Sequence, residues 1–363
     1  MKNVKRLFVL TLVLSLLAGM LLGCGGTQTP ASPPPDTGVQ APAPGGKEDA
    51  SPPAPKAKSA VMITDTGGLG DGGFNDMAWH GLEMVRDELG YEIGIIESYE
   101  AAQYAPNIAQ AAEQGYDVVV CVGFLFIDAL ADVAPQYPDT VFIMIDAEVE
   151  GDNVYSFVFD VQESSFLAGA LAGLVCEENV FGYVGGMEIP DVLAWESGYI
   201  SGIRTTRPDA DIKTAYVGTF ADPGKAKELA LAQFSAGAGV CMEVSSGGAI
   251  GVIEAARDAG KMFISTDKSK DAFAPGCEFT SALAKRDYAL LNAIRMIDDG
   301  TAKPGTTVLS TKDGIFGLPD NTEARYGADV MAIINKLQAM IASGELIVPA
   351  TRDEVAAYTP PVL

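Results

Sequence analysis

The stretch Asp65-Thr66-Gly67-Gly68-Leu69-Gly70-Asp71-Gly72-Gly73-Phe74-Asn75-Asp76 decides how the chain is read. Ahead of it, Ala60-Val61-Met62-Ile63 is a short apolar run suited to a buried strand. Behind it, Met77 to Val85 has helical apolar spacing, with Asn75 or Asp76 expected at the N-cap. A strand, a glycine-rich turn and a helix open a parallel α/β sheet, and such turns lie at the carboxyl ends of the strands, where ligands bind. Five glycines let the backbone approach another group closely. Phe74 has no apolar neighbour inside the turn, so its ring reads as a stacking platform.

Two other readings of the turn compete. Gly68-x-Gly70-x-x-Gly73 fits the dinucleotide pattern, with Glu97 near the place of the ribose acid. Yet Asp65, Asp71 and Asp76 would crowd a pyrophosphate with like charge, and the turn holds no Lys or Arg. Carboxylates beside an aromatic ring suit a neutral ligand with hydroxyl donors. A plain βα turn without a ligand is the second alternative.

Working outward, apolar runs alternate with helical stretches. Strands are expected at Ile93–Ile96, Val118–Val122, Val141–Ile145 and Val154–Phe159, and again at Phe181–Val184, Ile212–Val217, Val240–Val244 and Met262–Ser265. The long helix from Ser164 to Cys176 separates the two series. Continuous apolar strands alternating with helices mean parallel sheets covered on both faces. Two such series make two doubly wound α/β lobes, with a ligand cleft between them. The expected division is 60–163 plus about 285–317 for the first lobe, and 164–284 plus about 318–363 for the second.

The N-terminus carries a different message. Lys2, Lys5 and Arg6 precede the apolar run Leu7 to Leu22, which is too short and wrongly flanked for a membrane span. Leu21-Leu22-Gly23-Cys24 closes it as a bacterial lipobox would, so residues 1–23 read as a lipoprotein signal peptide and Cys24 as the lipidated residue. Residues 24–59, rich in Pro, Ala and Gly, read as a tether holding a folded body off the extracytoplasmic face of the membrane. The chain carries a formal net charge of −24, and loss of the three basic residues in the leader takes it to −27. That charge argues against nucleic acid and anionic lipid as partners. Cys121, Cys176, Cys241 and Cys277 are widely spaced and read as small buried hydrophobes, with one disulfide left open. One histidine, His80, and no His/Cys cluster give no ground for a metal or other cofactor.

The turns between these elements form an ordered set. Thr64-Asp65-x-Gly67-Gly68, Gly73-Phe74-Asn75, Ser165-Phe166-Leu167-Ala168-Gly169, Val184-Gly185-Gly186-Met187-x-Ile189-Pro190, Gly198-Tyr199-x-x-Gly202, Asp222-Pro223-Gly224-Lys225 and Gly251-Val252-Ile253-Glu254-Ala255-Ala256 follow one another. Over residues 60 to about 350 this set resembles the basic membrane protein family. Its members are lipoprotein substrate-binding components of ABC transporters, purine nucleoside receptors among them. The resemblance implies a type I periplasmic-binding-protein fold, no enzymatic activity, and a monomer that works with a permease and an ATPase.

It also implies a site. The rings enclosing a purine would be Phe74 and Phe220. Base-edge contacts would come from the first turn, with Asp65 and Asn75, and from Asp128 after the third strand. Sugar hydroxyls would meet Ser246, Gly247, Asp267 and Lys285. The residue chemistry agrees: a carboxylate accepts from hydroxyls and an ammonium donates to them. Asp267 and Asp128 could equally cap helices, Lys285 could be a solvated lysine, and Phe220 could belong to the core. Two stretches depart from the family pattern: Glu243-Val244-Ser245-Ser246-Gly247, where the family has alanines and glycine, and Asp313-Gly314-Ile315-Phe316-Gly317-Leu318.

Three functions are compatible with this reading. The first is a solute receptor that closes on its ligand and delivers it to a permease. The second is an extracytoplasmic nucleoside-processing enzyme, against which stand the single histidine and the lack of a G-x-S-x-G motif. The third is a sensor or surface receptor with no transport role.

Overall fold

The structure is a computed structural model and describes residues 57–362; the leader, Cys24 and nearly all of the tether lie outside that range. The first series runs β1 (Ser59–Ile63), α1 (Phe74–Leu89), β2 (Glu92–Ile96), α2 (Tyr104–Glu113), β3 (Val118–Val122), α3 (Ile127–Val133), β4 (Val141–Ile145) and β5 (Val154–Phe159). The second runs α4 (Val161–Val175), β6 (Val180–Gly185), α5 (Pro190–Thr206), β7 (Asp211–Tyr216), α6 (Pro223–Ser235), β8 (Ala238–Val244), α7 (Ala249–Ala259), β9 (Met262–Asp267) and β10 (Glu278–Ala284). The remainder is α8 (Arg286–Asp298), β11 (Gly305–Leu309), β12 (Phe316–Gly317), α9 (Thr322–Tyr326), α10 (Ala328–Ala342) and α11 (Arg352–Ala357).

The strands form two six-stranded sheets, ordered β11-β5-β4-β3-β1-β2 and β12-β10-β9-β8-β6-β7. The second order is the first with each of the five main strands advanced by five, so the two lobes repeat one plan. Every pair in the first sheet is parallel, and only β12 runs antiparallel in the second. Residues 316–317, placed with the first lobe by sequence, therefore belong to the second sheet.

The apolar strands explain this architecture. In β1, Ala60 and Met62 face the layer of α1, while Val61 and Ile63 face α2 and α3. Both faces are buried, as continuous apolar strands require. In the second lobe, α4 and α5 pack backbone to backbone. A β-carbon on Gly202 would strike the Phe166 carbonyl, and one on Gly198 the Gln162 carbonyl. Two of the family motifs, Ser165–Gly169 and Gly198–Gly202, are thus helix-packing devices. Cys121, Cys176, Cys241 and Cys277 are all free thiols, the first three buried.

The chain crosses between lobes three times, and the crossings lie side by side. The Asp160 amide donates to Leu309 O at 2.9 Å, Thr311 N donates to Glu163 Oε2 at 2.6 Å, and Lys285 N donates to Ile315 O at 2.9 Å. Adjacent crossovers of this kind form a hinge about which two lobes can close.

Candidate functional site

The glycine-rich turn is organised by its own acids. Asp71 accepts from Gly73 N and Asn75 N, both at 2.9 Å, while Asp76 accepts from Gly70 N at 2.8 Å and Gly72 N at 2.9 Å. The helix starts at Phe74, one residue ahead of the expected N-cap, because Asp71 rather than Asn75 or Asp76 satisfies its first amides. A pyrophosphate would need those same N–H groups, so the dinucleotide reading fails on geometry. Asp65 accepts from Gly67 N and from Asn75 Nδ2, each at 2.9 Å.

Between the lobes lies a partly open cleft lined by residues of both. Of the candidate site residues, Asp65, Phe74, Phe220, Ser246 and Asp267 line it. Asn75 is fully buried behind Asp65, and Gly247 sits against the Phe220 carbonyl beside the wall. Asp128 is exposed on the first turn of α3, and Lys285 is exposed at the N-cap of α8; neither lines the cavity.

Other lining residues escaped the sequence reading: Asp146, Asp191, Trp195, Ser245, Lys270 and Arg286. One signal was available. Phe142-Ile143-Met144-Ile145-Asp146 and Phe263-Ile264-Ser265-Thr266-Asp267 share the pattern Phe-Ile-x-x-Asp, at the end of the fourth strand of each lobe. The internal repeat makes Asp146 the counterpart of Asp267. Both have left-handed backbone, φ 62° and 70°, and Ser246 is the third non-glycine residue with positive φ among the described residues. All three line the cavity, where strained backbone commonly marks function.

Arg286 ties the two aspartates together. Its Nε donates to Asp146 Oδ2 at 2.8 Å and its Nη1 donates to Asp267 Oδ1. The guanidinium lies 5.1 Å from the centre of the Phe74 ring and 5.2 Å from that of Phe159, within cation–π range. A second link crosses the cleft where Ser246 Oγ donates to Asp71 Oδ2 at 2.9 Å. Deeper in the second lobe, Lys270 Nζ meets Glu243 Oε1 at 2.6 Å.

This acid-rich, enclosed setting shifts the carboxyl groups. Burial pushes Asp65 up to about 6, against the hydrogen bonds from Asn75 and Gly67. Burial, with Asp146 adding like charge, pushes Asp191 up to about 7, and the Arg286 charge opposes the rise. Burial also raises Asp146 and Glu243, each offset by its cation, Arg286 or Lys270. The arrangement can enclose an uncharged aromatic ligand and offer hydrogen-bond acceptors around it.

The sequence model of the family described as ABC transporter substrate-binding protein PnrA-like matches residues 58–352. The ABC transporter nucleoside-binding protein BmpA of Lactococcus lactis is 27% identical over 330 residues, covering 83% of this chain and 93% of its own. An uncharacterized lipoprotein of Pyrococcus abyssi is 31% identical over 312 residues, covering 82% and 77%. Among solved structures, an ABC transporter solute-binding protein of Aeropyrum pernix superposes with a TM-score of 0.76 at 26% identity, over 83% of this chain and 96% of that one. A match across both lobes and all three crossings covers the fold and its cleft together, and the chain belongs to the PnrA-like substrate-binding proteins of ABC transporters.

Proposed function

We propose that the protein captures a purine nucleoside between its lobes and delivers it to an ABC permease from the extracytoplasmic face of the membrane, anchored through Cys24. The observation that carries the ligand class is that Phe74 and Phe220 both line an inter-lobe cavity that also carries carboxylates. Aromatic faces suit a base, and each stacked face is worth about 1–3 kcal/mol. Carboxylate acceptors suit sugar hydroxyls and base N–H groups. The same carboxylates disfavour phosphates by like charge. Hinge closure supplies the signal a permease reads, since a ligand gripped by both lobes favours the closed state alone.

The test is calorimetric titration of the protein with guanosine, adenosine, inosine and their free bases, with small-angle scattering to follow compaction. Micromolar or tighter binding of at least one nucleoside, with compaction, is the expected result. A protein that stays folded and binds none of them contradicts the ligand class. Replacement of Cys24 by Ala is expected to release the protein from the membrane fraction, and unchanged partition would remove the anchor.

A further inference from the structure

Three of the five glycines in the Asp65–Asp76 turn meet the opposite lobe, and none of the three lines the cavity. A β-carbon on Gly67 would strike Ser246 Oγ, and one on Gly73 would lie 2.9 Å from Lys270 Nζ. One on Gly72 would lie 2.9 Å from Cε2 and 3.2 Å from Cζ of Phe273. The Phe273 ring therefore rests on the Gly72 backbone, where a side chain would hold it off. Gly72 also has φ 67°, a conformation that favours glycine. The second lobe presents this ring in a fixed place. Phe273 ends the short turn Asp271–Phe273, and Ala274 after it is buried in that lobe's core. Asp271 Oδ1 accepts from Gly276 N at 2.8 Å, and Lys270 N donates to Glu278 Oε1 at 2.7 Å. Even so, the ring is 47% exposed, and part of the cover it has comes from the other lobe.

Ser246 Oγ, which faces Gly67, donates to Asp71 Oδ2 at 2.9 Å. Asp71, Gly72 and Phe273 do not line the cavity, so these contacts join the lobes beside the ligand space. We propose that Phe273 on Gly72, together with Ser246 on Asp71, is a latch that holds the lobes shut without help from the ligand. A contact made only in the closed state raises the closed population before any ligand arrives. Every ligand gripped by both lobes then binds more tightly by the same factor. The latch sets how firmly cargo is held, and the cavity sets which cargo. The inference goes beyond the nucleoside reading, because nothing in it depends on the ligand's identity. It also assigns the glycines of the turn: the close approach that Gly67, Gly72 and Gly73 permit is that of the second lobe. Ser246 lines the cavity as well, so Phe273 is the residue that tests the latch apart from the ligand.

The experiment applies small-angle scattering and calorimetry to wild type, Phe273→Ala and Phe273→Leu, without ligand and with inosine or guanosine. Without ligand, Phe273→Ala is expected to scatter as a more extended particle than wild type. Phe273→Leu is expected to fall between them, since leucine keeps part of the apolar cover. Saturating nucleoside is expected to bring all three to the same compact form. Inosine and guanosine are each expected to bind Phe273→Ala about five- to tenfold more weakly, the scale of part of an aromatic ring returning to water. The ratio of the two affinities is expected to stay within about twofold of wild type, with faster dissociation carrying the loss. Identical ligand-free scattering of wild type and Phe273→Ala overturns the latch. A changed ratio of affinities overturns it too, because it would place the ring in contact with the ligand. If wild type binds neither nucleoside, the purine reading fails, and the ligand-free scattering still decides the latch by itself.

Discussion

Phe74 is the first residue of α1, half-buried, lining the cavity with the guanidinium of Arg286 over its ring. Its removal is expected to weaken nucleoside binding by about one to two decades, the size of a lost stacking contact, with little change in melting temperature. Normal affinity with a lowered melting temperature would make the ring structural. Asp191 gives a second residue-level test. An acid whose folded pKa is raised stabilises the fold most when protonated. Its contribution is whole below the ordinary value of 3.8 and fades as pH climbs through about 7. Asp191→Asn should therefore leave the melting temperature unchanged near pH 4 and raise it at pH 8. A difference of equal size at both pH values would show that charge is not the cause. At this scale the sequence was legible where a residue stood in a distinctive turn, as Phe74, Ser246 and Asp267 did. It was opaque at Lys285 and Arg286, adjacent cations with no local feature to rank them. The fold decides between them: Lys285 caps α8 with its side chain outward, and Arg286, one helical step later, points into the cleft.

The elements were more legible than the residues, for a physical reason. A parallel strand buried on both faces must be apolar throughout, so β3, β4 and β8 stand out from any flanking polar sequence. What ran past the reading was the last third, where β11, with alternating burial, and the two-residue β12 lack that continuous apolar character. The α4–α5 contact carries a prediction of its own. Gly202 rests on the Phe166 carbonyl with no space for a methyl group, and backbone atoms cannot swing aside as a side chain can. Gly202→Ala should cost about 1–3 kcal/mol of stability, the range for overpacking, read as a shifted urea midpoint with an unchanged slope. Nucleoside affinity measured well below the transition should stay near wild type. Unchanged stability would mean the helices can separate freely, and the motif would need a different explanation.

For the whole molecule, the deciding feature is that neither sheet is made from one continuous segment. The first needs β11, Gly305–Leu309, which arrives after the second lobe's main strands are complete. A chain ending at residue 300 should therefore leave β5 as a bare edge, an invitation to pair with other chains. Such a truncation is expected to sediment as aggregates, whereas one ending at residue 345, which keeps both sheets whole, should stay more soluble. Equal solubility of the two would show that β11 is dispensable. The same interleaving sets a timetable for biosynthesis. A polypeptide emerges amino end first, so the lobe begun first must wait for β11 until the second lobe's main strands have been made, and the second sheet waits longer still for β12. Nearly the entire chain must clear the ribosome, and any export channel it uses, before either half can close. Until then the molecule has open sheet edges on both sides, and factors that hold nascent chains extended have that long to act on it.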